Sequence, residues 1–249
     1  MPEGDKMQGL FDMHCHIIPG VDDGARDMNM SLAILKEEKE NGVTDIIITP
    51  HFRREMFETD RTVVLERFLA IRKEARSVFP DMRLYIGCEF HSNMDMEQIL
   101  ASDPLYRMIG TKYVLLEFSS VHNKAYIKER TYALLARGYQ PIIAHIERYP
   151  ALARNIDLVE ELRDIGAYIQ VNADALIGKD GWVYKRFTGK LLREGMIDFV
   201  GSDAHNTSDR ACHIGKAYTH VVRKIGKNEA DRIFIQNPAE IVRAAAERS

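Results

Sequence analysis

The sequence predicts an α/β protein in which βα units surround a parallel sheet. Seven short runs of aliphatic and β-branched residues alternate with longer amphipathic segments, as expected for such units. The 249 residues match one barrel-sized domain, and no linker or shift in composition divides them. We therefore predict a single domain over residues 1–249. A hydrophobic content of 45% is sufficient for its core.

The predicted elements alternate in order along the chain. The strand runs are 10–14, 45–49, 83–88, 113–117, 141–145, 167–171 and 198–201. The helical segments between them lie near 27–41, 60–79, 95–101, 123–138, 155–166 and 185–195, and two more near 209–226 and 228–247 follow the last strand.

Potential metal ligands follow the carboxyl end of nearly every predicted strand. In the first run, His14 and His16 share one face of the extended chain, because side chains two residues apart point the same way. The carboxyl ends of parallel strands converge on one face of a sheet or barrel. Six of the seven runs therefore bring ligands to one rim, and the sixth run ends in Asn172 instead. The candidates are His14, His16, Asp23, His51, Glu89, Glu117, His145, Asp203 and His205.

The size and chemistry of this set predict a metal cluster. One tetrahedral site takes about four ligands, so nine candidates fit two or three divalent ions. Imidazole and carboxylate groups without thiolate suit manganese, iron or zinc. Clustered ions typically activate water and stabilise the leaving oxygen in displacement at phosphorus. Phosphoester hydrolysis is therefore the leading prediction.

Arginines on the same rim would supply positive charge for a phosphoryl group. Arg148 follows His145 by three residues, and Arg210 follows His205 by five. A guanidinium offers a planar fork that matches phosphate oxygens, and Arg148 is the stronger candidate because its loop also carries a ligand. Four aromatic residues would wall a pocket for an aromatic group, although packing is the simpler interpretation: Phe57, Tyr149, Trp182 and Tyr184.

Several classes of function are disfavoured. The net charge of −3 gives no general attraction for nucleic acid, and no apolar run approaches the roughly 20 residues of a membrane span. Three cysteines without a signal peptide indicate a cytoplasmic protein. No arginine stands six residues after Cys15, Cys88 or Cys212, which excludes a cysteine-dependent tyrosine phosphatase. The other histidines are predicted on the surface or on helices: His91, His122, His213 and His220.

The ordered motifs carry a resemblance to a known family. They are Asp12-x-His14-x-His16, Asp22-Asp23-Gly24, Thr49-Pro50-His51, Gly87-Cys88-Glu89, Leu116-Glu117, Ala144-His145-Ile146-Glu147-Arg148-Tyr149 and Gly201-Ser202-Asp203-Ala204-His205-Asn206. This set resembles the PHP (polymerase and histidinol phosphatase) superfamily. It is most similar to the metal-dependent protein-tyrosine phosphatases of bacterial capsular and exopolysaccharide operons. The resemblance spans essentially the whole chain and implies a distorted seven-stranded (β/α) barrel, in agreement with the seven runs.

The resemblance also implies roles for individual residues. A first ion would bind His14, His16, Glu89 and Asp203. A second would bind Glu117 and His145, with Glu89 as the bridge, and a third would bind Asp23, His51 and His205. Arg148 and Arg210 would bind the phosphoryl group. The implied metal is manganese, and the implied substrate is the tyrosine-phosphorylated tail of a cognate bacterial tyrosine kinase.

Three alternatives remain open from the sequence. A phosphatase of the same superfamily could act on a small molecule such as histidinol phosphate. A metal-dependent amidohydrolase also begins with His-x-His, although Glu89 and Glu117 at strand ends favour phosphorus over carbon. A non-enzymatic, metal-binding module that docks a kinase would require a broken ligand set, and none of the ligands is missing.

Overall fold

The computed structural model describes residues 9–153 and 155–247, so the remaining positions of the predicted domain lie outside the described residues. Its strands are β1 (Leu10–Cys15), β2 (Val43–Ile48), β3 (His51–Phe52), β4 (Arg83–Ile86), β5 (Glu89–His91), β6 (Tyr113–Glu117), β7 (Gln140–Ile143), β8 (Tyr168–Asn172) and β9 (Phe199–Gly201). Its helices are α1 (Met28–Glu40), α2 (Arg61–Val78), α3 (Met96–Ser102), α4 (Lys124–Ala136), α5 (Ile156–Asp164), α6 (Ala173–Ile177), α7 (Trp182–Arg193), α8 (Ile214–Ile225), α9 (Lys227–Asp231) and α10 (Asn237–Ala246).

The strands pair in parallel in two sheets. One sheet has the order β1-β2-β4, and the other has the order β3-β5-β6-β7-β8-β9. Every pairing between these strands is parallel, which confirms the predicted α/β class. The connections run through helices, as parallel strands require.

The prediction of seven uninterrupted strands is wrong at two places. The second run, 45–49, matches β2 and is followed beyond Pro50 by the unpredicted short strand β3. The third run, 83–88, matches β4 and is followed beyond Gly87 by the unpredicted short strand β5. Proline has no backbone N–H to donate to a sheet. Gly87 packs so closely that an added Cβ would lie 3.0 Å from Met108 Sδ. Both interruptions lie just before candidate ligands, so they change the direction of the chain at the site.

The first and last strands lie side by side at their carboxyl ends. Asp203 N donates to His14 O at 2.7 Å, and His16 N donates to Ala204 O at 2.8 Å. A parallel bridge joins Cys15 and Ala204. His14 in β1 and His16 just after it therefore stand next to the residues that follow β9, although the bonded pairs His14–Asp203 and His16–Ala204 are 189 and 188 positions apart in sequence.

Apolar side chains from five strands pack together beneath the candidate site. Met13, Ile47, Leu115, Ile142 and Phe199 belong to one buried cluster. Residues of β1, β2, β6, β7 and β9 meet in this way only if the strands curve around a common interior. The strands therefore form a curved, half-barrel arrangement of parallel sheet.

Helix boundaries differ from the prediction mainly in the last third of the chain. The short helix α6 was not predicted, and α7 begins at Trp182 rather than at 185. The segment predicted from 209 becomes helical only at Ile214, because the Asn206 side chain accepts from Ser208 N and Arg210 N and holds a turn there. The final predicted helix is divided into α9, a π-helical turn at 232–236 and α10. None of the described helices is long and apolar enough to cross a membrane.

Candidate metal centre

The nine predicted ligands lie together at the carboxyl ends of the strands. Glu89 begins β5, Glu117 ends β6, and the others stand in or just after β1, β3, β7 and β9. The side chain of Asp23 is 49% exposed, whereas His14, His16 and Glu89 are fully buried. Burying this many ionisable groups is costly unless each is paired or binds a metal.

The Glu89 carboxylate lies at the middle of the cluster. Its Oε2 is 2.9 Å from His51 Nδ1, 3.1 Å from His14 Nε2 and 3.2 Å from His16 Nε2. Its Oε1 is 2.8 Å from His145 Nε2. One carboxylate is thus surrounded by four imidazole nitrogens from three places in the sheet, at the ends of β1 and β7 and at the start of β3, as expected of a ligand shared between ions.

The remaining candidates extend the cluster on two sides. Asp203 Oδ1 lies 3.5 Å from His16 Nε2 and 3.7 Å from His14 Nε2. Asp23 Oδ1 lies 3.4 Å from the Nε2 atoms of both His51 and His205. Three sets have ligand atoms within 4.8 Å of one another: His14, His16 and Glu89; His16, His51 and His205; and His51, Glu89 and Glu117.

Three residues that the sequence analysis did not select as ligands orient the imidazoles. Asp22 Oδ2 lies 2.9 Å from His16 Nδ1 and also accepts from His51 N at 2.9 Å. Gln170 Oε1 accepts from His145 N at 2.6 Å and lies 3.3 Å from His14 Nδ1.

The third is Tyr149, whose hydroxyl lies 3.1 Å from His145 Nδ1 and accepts from Phe118 N at the same distance. Such partners commonly fix the ring orientation of metal-binding histidines, leaving the other nitrogen free for the ion. The Asp-Asp pair and the His-x-x-x-Tyr spacing were visible in the sequence, but Gln170 gave no signal there.

The backbone is strained at two candidate ligands. His145 has a φ of 29° and Asp203 a φ of 55°, in the left-handed region that residues other than glycine rarely adopt. Strain of this kind is often found at functional sites, where the surrounding structure holds it in place. His145 lies two positions after the end of β7, and Asp203 lies two positions after the end of β9.

Without an ion, the local charges favour the metal-binding protonation state in two carboxylates and one imidazole. Burial alone would raise the pKa of Glu89, but His14 and His51 hold it well below its usual value. Burial would likewise raise the pKa of Asp203, but His16 and His14 hold it well below normal. Burial lowers the pKa of His205 to about 4, with His16 adding to the effect. Ionised carboxylates and neutral imidazole are the forms that bind metals. Burial lowers the pKa of His14 and His16, but Glu89 and Asp22 raise it above normal, so these two rings would lose a proton on binding a metal.

Glu117 differs from the other carboxylates. Burial and the neighbouring Glu89 raise its pKa to about 7. A nearby cation would favour its ionised form.

Two arginines reach the cluster from the rim. Arg148 Nη1 donates to Asp203 Oδ2 at 2.6 Å, and Arg210 Nη2 donates to Asp203 Oδ1 at 2.9 Å. Both line a pocket of about 250 Å³ that also contains Arg53 and Phe57. The pocket opens onto the candidate ligands and carries three guanidinium groups, which suits an anionic group.

The other residues singled out from sequence lie in different places. Phe57 stacks on His51 with ring centres 5.1 Å apart and lines the pocket. Trp182 is exposed on α7. The prediction of surface or helix positions is wrong for two histidines. His91 ends strand β5, and His213 is largely buried beside α8, with its Nδ1 2.8 Å from Asp174 Oδ1.

The side chains present fit a bound metal. Buried polar atoms without a well-directed hydrogen bond among the described residues include Glu89 Oε2, Glu117 Oε2, His51 Nδ1 and His205 Nε2. These four atoms belong to candidate ligands, whereas other buried atoms of this kind, such as Arg61 Nε and Thr131 Oγ1, lie elsewhere. Unsatisfied buried polar atoms are rare in native proteins and call for an explanation such as an ion. The donor set of imidazole and carboxylate matches manganese, iron or zinc.

The fold and the site define a parallel α/β protein with a candidate metal centre at the carboxyl ends of its strands. A family model of the CpsB/CapC proteins of capsular polysaccharide synthesis matches residues 10–243, and this chain belongs to that family.

Sequence and structure comparisons agree with that assignment. The chain is 33% identical to the tyrosine-protein phosphatase CpsB of Streptococcus pneumoniae over 238 residues, covering 94% of this chain and 98% of that protein. It also matches a crystal structure from work on YwqE of Bacillus subtilis and CpsB of Streptococcus pneumoniae, described as unique metal-dependent tyrosine phosphatases. That match has a TM-score of 0.88 and 31% identity, and it covers 94% of each chain.

A more distant structure shares only the fold. An organophosphorus hydrolase from Deinococcus radiodurans matches with a TM-score of 0.60 and 12% identity, over 94% of this chain and 93% of that one.

Proposed function

We propose that this chain is a metal-dependent tyrosine-protein phosphatase. The observation that carries the proposal is the Glu89 carboxylate, which lies within 3.2 Å of four imidazole nitrogens at the base of an arginine-lined pocket. The named activity of relatives that cover nearly the whole chain supports the same reaction.

The ligand set supports two or three divalent ions, with manganese as the expected metal. His14, His16, Glu89 and Asp203 would hold the first ion, Glu89, Glu117 and His145 the second, and Asp23, His51 and His205 the third. Bound ions would supply Lewis acidity and an activated water for displacement at phosphorus. Asp22, Gln170 and Tyr149 keep the imidazoles turned towards these positions.

Arg148 and Arg210 would bind the phosphoryl oxygens. In this structure both are held by Asp203, so they are already at the rim of the pocket when substrate arrives. Their fixed charge would stabilise the negative charge that grows on the phosphoryl oxygens during transfer. Phe57 and Met56 form an apolar side of the pocket for the tyrosine ring. The leaving phenoxide has a pKa near 10 and needs little help from a proton donor.

The cysteines do not supply the nucleophile. Cys15, Cys88 and Cys212 are buried and free. Burial raises the pKa of Cys88 to about 12, which disfavours the reactive thiolate. Free thiols are typical of the reducing cytoplasm, where we place the protein.

Two finer parts of the proposal concern the substrate and the architecture. The substrate would be the phosphotyrosine-bearing tail of a cognate bacterial tyrosine kinase. The strands would complete a distorted seven-stranded barrel, with β2 and β3 counted as one strand path and β4 and β5 as another. The hydrogen bonds between the ends of β1 and β9 support such a closure.

One set of assays tests the function. Metal-stripped protein is reloaded with manganese, iron or zinc, and its metal content is measured on the sample used for kinetics. We expect turnover of a phosphotyrosine peptide in proportion to bound metal, with manganese most effective. Faster turnover of histidinol phosphate would instead indicate a small-molecule phosphatase, and faster turnover of an amide substrate would indicate an amidohydrolase. Absence of peptide turnover at full metal occupancy would contradict it.

A further inference from the structure

Helix α7 carries a basic and aromatic stripe on its exposed side. Trp182, Arg186, Lys190 and Arg193 are separated by four, four and three residues, so they lie along one face of the helix. All four are exposed, and the Trp182 side chain is 69% exposed. The Arg186 guanidinium carbon lies 5.5 Å from the centre of the Trp182 ring. Exposed tryptophan and arginine are the residues most enriched at binding hot spots.

The stripe lines a surface groove of about 1040 Å³. Ile156 and Phe187 add apolar area, and no carboxylate from the described residues lines the groove. Within the part of the chain that the structure describes, Arg186, Lys190 and Arg193 form no ion pair. These three charges are unneutralised in a protein whose net charge is −3. The groove is therefore complementary to an acidic ligand.

The groove begins beside the candidate metal centre. Helix α7 packs against the turn at 146–148, which carries Arg148. Asp180 stands two residues before Trp182; burial raises its pKa, and the nearby Arg148 opposes that rise. A peptide that leaves the pocket past Arg148 and Asp180 would reach Trp182 first and the three cations afterwards.

We propose that the α7 stripe binds an acidic or tyrosine-phosphorylated stretch of the same protein substrate whose phosphotyrosine occupies the metal centre. The inference rests on the proposed phosphatase function. A second phosphotyrosine carries a charge of about −1.5 to −2 and three acceptor oxygens, which suit the guanidinium groups of Arg186 and Arg193. Its ring, or that of an unmodified tyrosine, stacks on Trp182. The concave shape and the position beside the pocket favour a peptide over an anionic membrane.

Two peptide substrates distinguish binding at the α7 stripe from hydrolysis at the metal centre. Each peptide carries one phosphotyrosine followed by a flanking run, which is glutamate in one peptide and glutamine in the other. We expect kcat/KM to be about tenfold higher for the glutamate peptide, a typical size for several exposed charges, and the preference to shrink as salt is added. The triple variant R186A/K190A/R193A loses the preference, whereas its turnover of p-nitrophenyl phosphate and its metal content stay at the wild-type values.

A matched control removes the same net charge elsewhere. Lys73, Arg76 and Arg137 are exposed on or next to α2 and α4. The variant K73A/R76A/R137A keeps the preference for the glutamate peptide. A triple α7 variant that kept the preference, or a control variant that lost it equally, would overturn the inference.

The fluorescence of Trp182, the only tryptophan of the chain, measures binding without turnover. The glutamate peptide, added to metal-stripped protein, changes the emission of the wild type, and it binds more weakly to the triple variant. Anionic phosphatidylglycerol vesicles provide the comparison. A response to vesicles without a response to peptide would replace peptide docking by membrane contact. If wild-type protein turned over neither peptide nor p-nitrophenyl phosphate, the phosphatase proposal would fail, while the fluorescence titration would still decide the docking.

Discussion

At the scale of single residues, the site depends on one buried carboxylate shared by several imidazoles. Removing Glu89 takes away the carboxylate that lies within 3.2 Å of ring nitrogens of His14, His16, His51 and His145. We expect E89A to lose phosphatase activity and to bind fewer metal ions, with a loss of more than one ion per chain. Elemental analysis of the variant, with E240A as a surface control, measures this. Full metal occupancy in E89A would reject the shared-ligand arrangement.

Arg148 is expected to act on substrate rather than on metal. It donates to Asp203, but Asn172 Nδ2 donates to the same oxygen at 3.0 Å and remains in place without the arginine. R148A should therefore keep its metal content while kcat falls by about 10²–10³, the usual cost of losing a group that stabilises transition-state charge. R148K should recover only part of the rate because lysine lacks the planar fork. Near-normal kinetics of R148A on a phosphotyrosine peptide would remove this residue from the mechanism.

At the scale of elements, the sequence predicted the strand ends better than the strands themselves. Six of the seven predicted runs end close to the strand ends beside which the candidate ligands lie, because apolar runs followed by His, Asp or Glu are a local pattern. The interruption at Pro50 had a local signal in the proline itself, whereas that at Gly87 involves a close contact with Met108, which no local pattern reveals. For the same reason Gln170 was missed: its role depends on β8 lying beside β7, which brings it to His145.

The junction of β9 with β1 leaves no space at Gly201. An added Cβ would lie 2.5 Å from His14 Cβ and 3.1 Å from Gln170 Nε2. G201A should therefore displace His14, weaken metal binding and reduce activity, with a loss of about 1–3 kcal/mol of stability from overpacking. Metal titration and urea unfolding measure the two effects. The control G189A lies within α7, where the nearest atom to an added Cβ is 3.7 Å away. Equal metal affinity in G201A and G189A would show that an added methyl group at Gly201 does not disturb the metal ligands.

Helix α1 and strand β1 share a buried pair of carboxyl groups behind the site. Burial, together with Asp12, raises the pKa of Glu38 well above its usual value of 4.5, and Cys212 Sγ donates to Glu38 Oε2 at 2.9 Å. The folded chain therefore holds a proton that the unfolded chain releases above pH 4.5. Since the folded state binds more protons, the free energy of unfolding must fall as pH rises from that value towards the raised pKa.

The variant E38Q tests this linkage. Glutamine keeps the size and shape of the Glu38 side chain and an oxygen that can accept from Cys212, while carrying no titrating proton. We expect the stability of chelator-treated E38Q to depend less steeply on pH than that of the wild type between pH 5 and pH 8, measured by urea unfolding. The surface variant E240Q serves as the control. If the stability of E38Q and of the wild type depended equally on pH, Glu38 would not be the group that holds the extra proton.

At the scale of the whole molecule, the candidate ligands join distant parts of the chain. They span positions 14 to 205, and the unfolded chain cannot bring them together, so metals would bind only the folded state. A ligand present at 100 times its dissociation constant raises the free energy of unfolding by about 2.7 kcal/mol per site. For a chain of this size, that corresponds to an increase of about 5–10 °C in Tm. We therefore expect chelation to lower Tm by at least that amount.

The E89A variant separates this stabilisation from general salt effects. Its own Tm should respond less to manganese than the wild-type Tm does, because the two ions that share Glu89 are lost while the site of Asp23, His51 and His205 is kept. The wild type should regain its full Tm on reloading. The dependence on ion concentration should follow binding to more than one site, since residues of β1, β3, β5 and β6 belong to different subsets of candidate ligands. A wild-type Tm that stayed constant while elemental analysis recorded complete loss of metal would mean that the strand ends are preorganised without ions, and that the cluster serves chemistry alone.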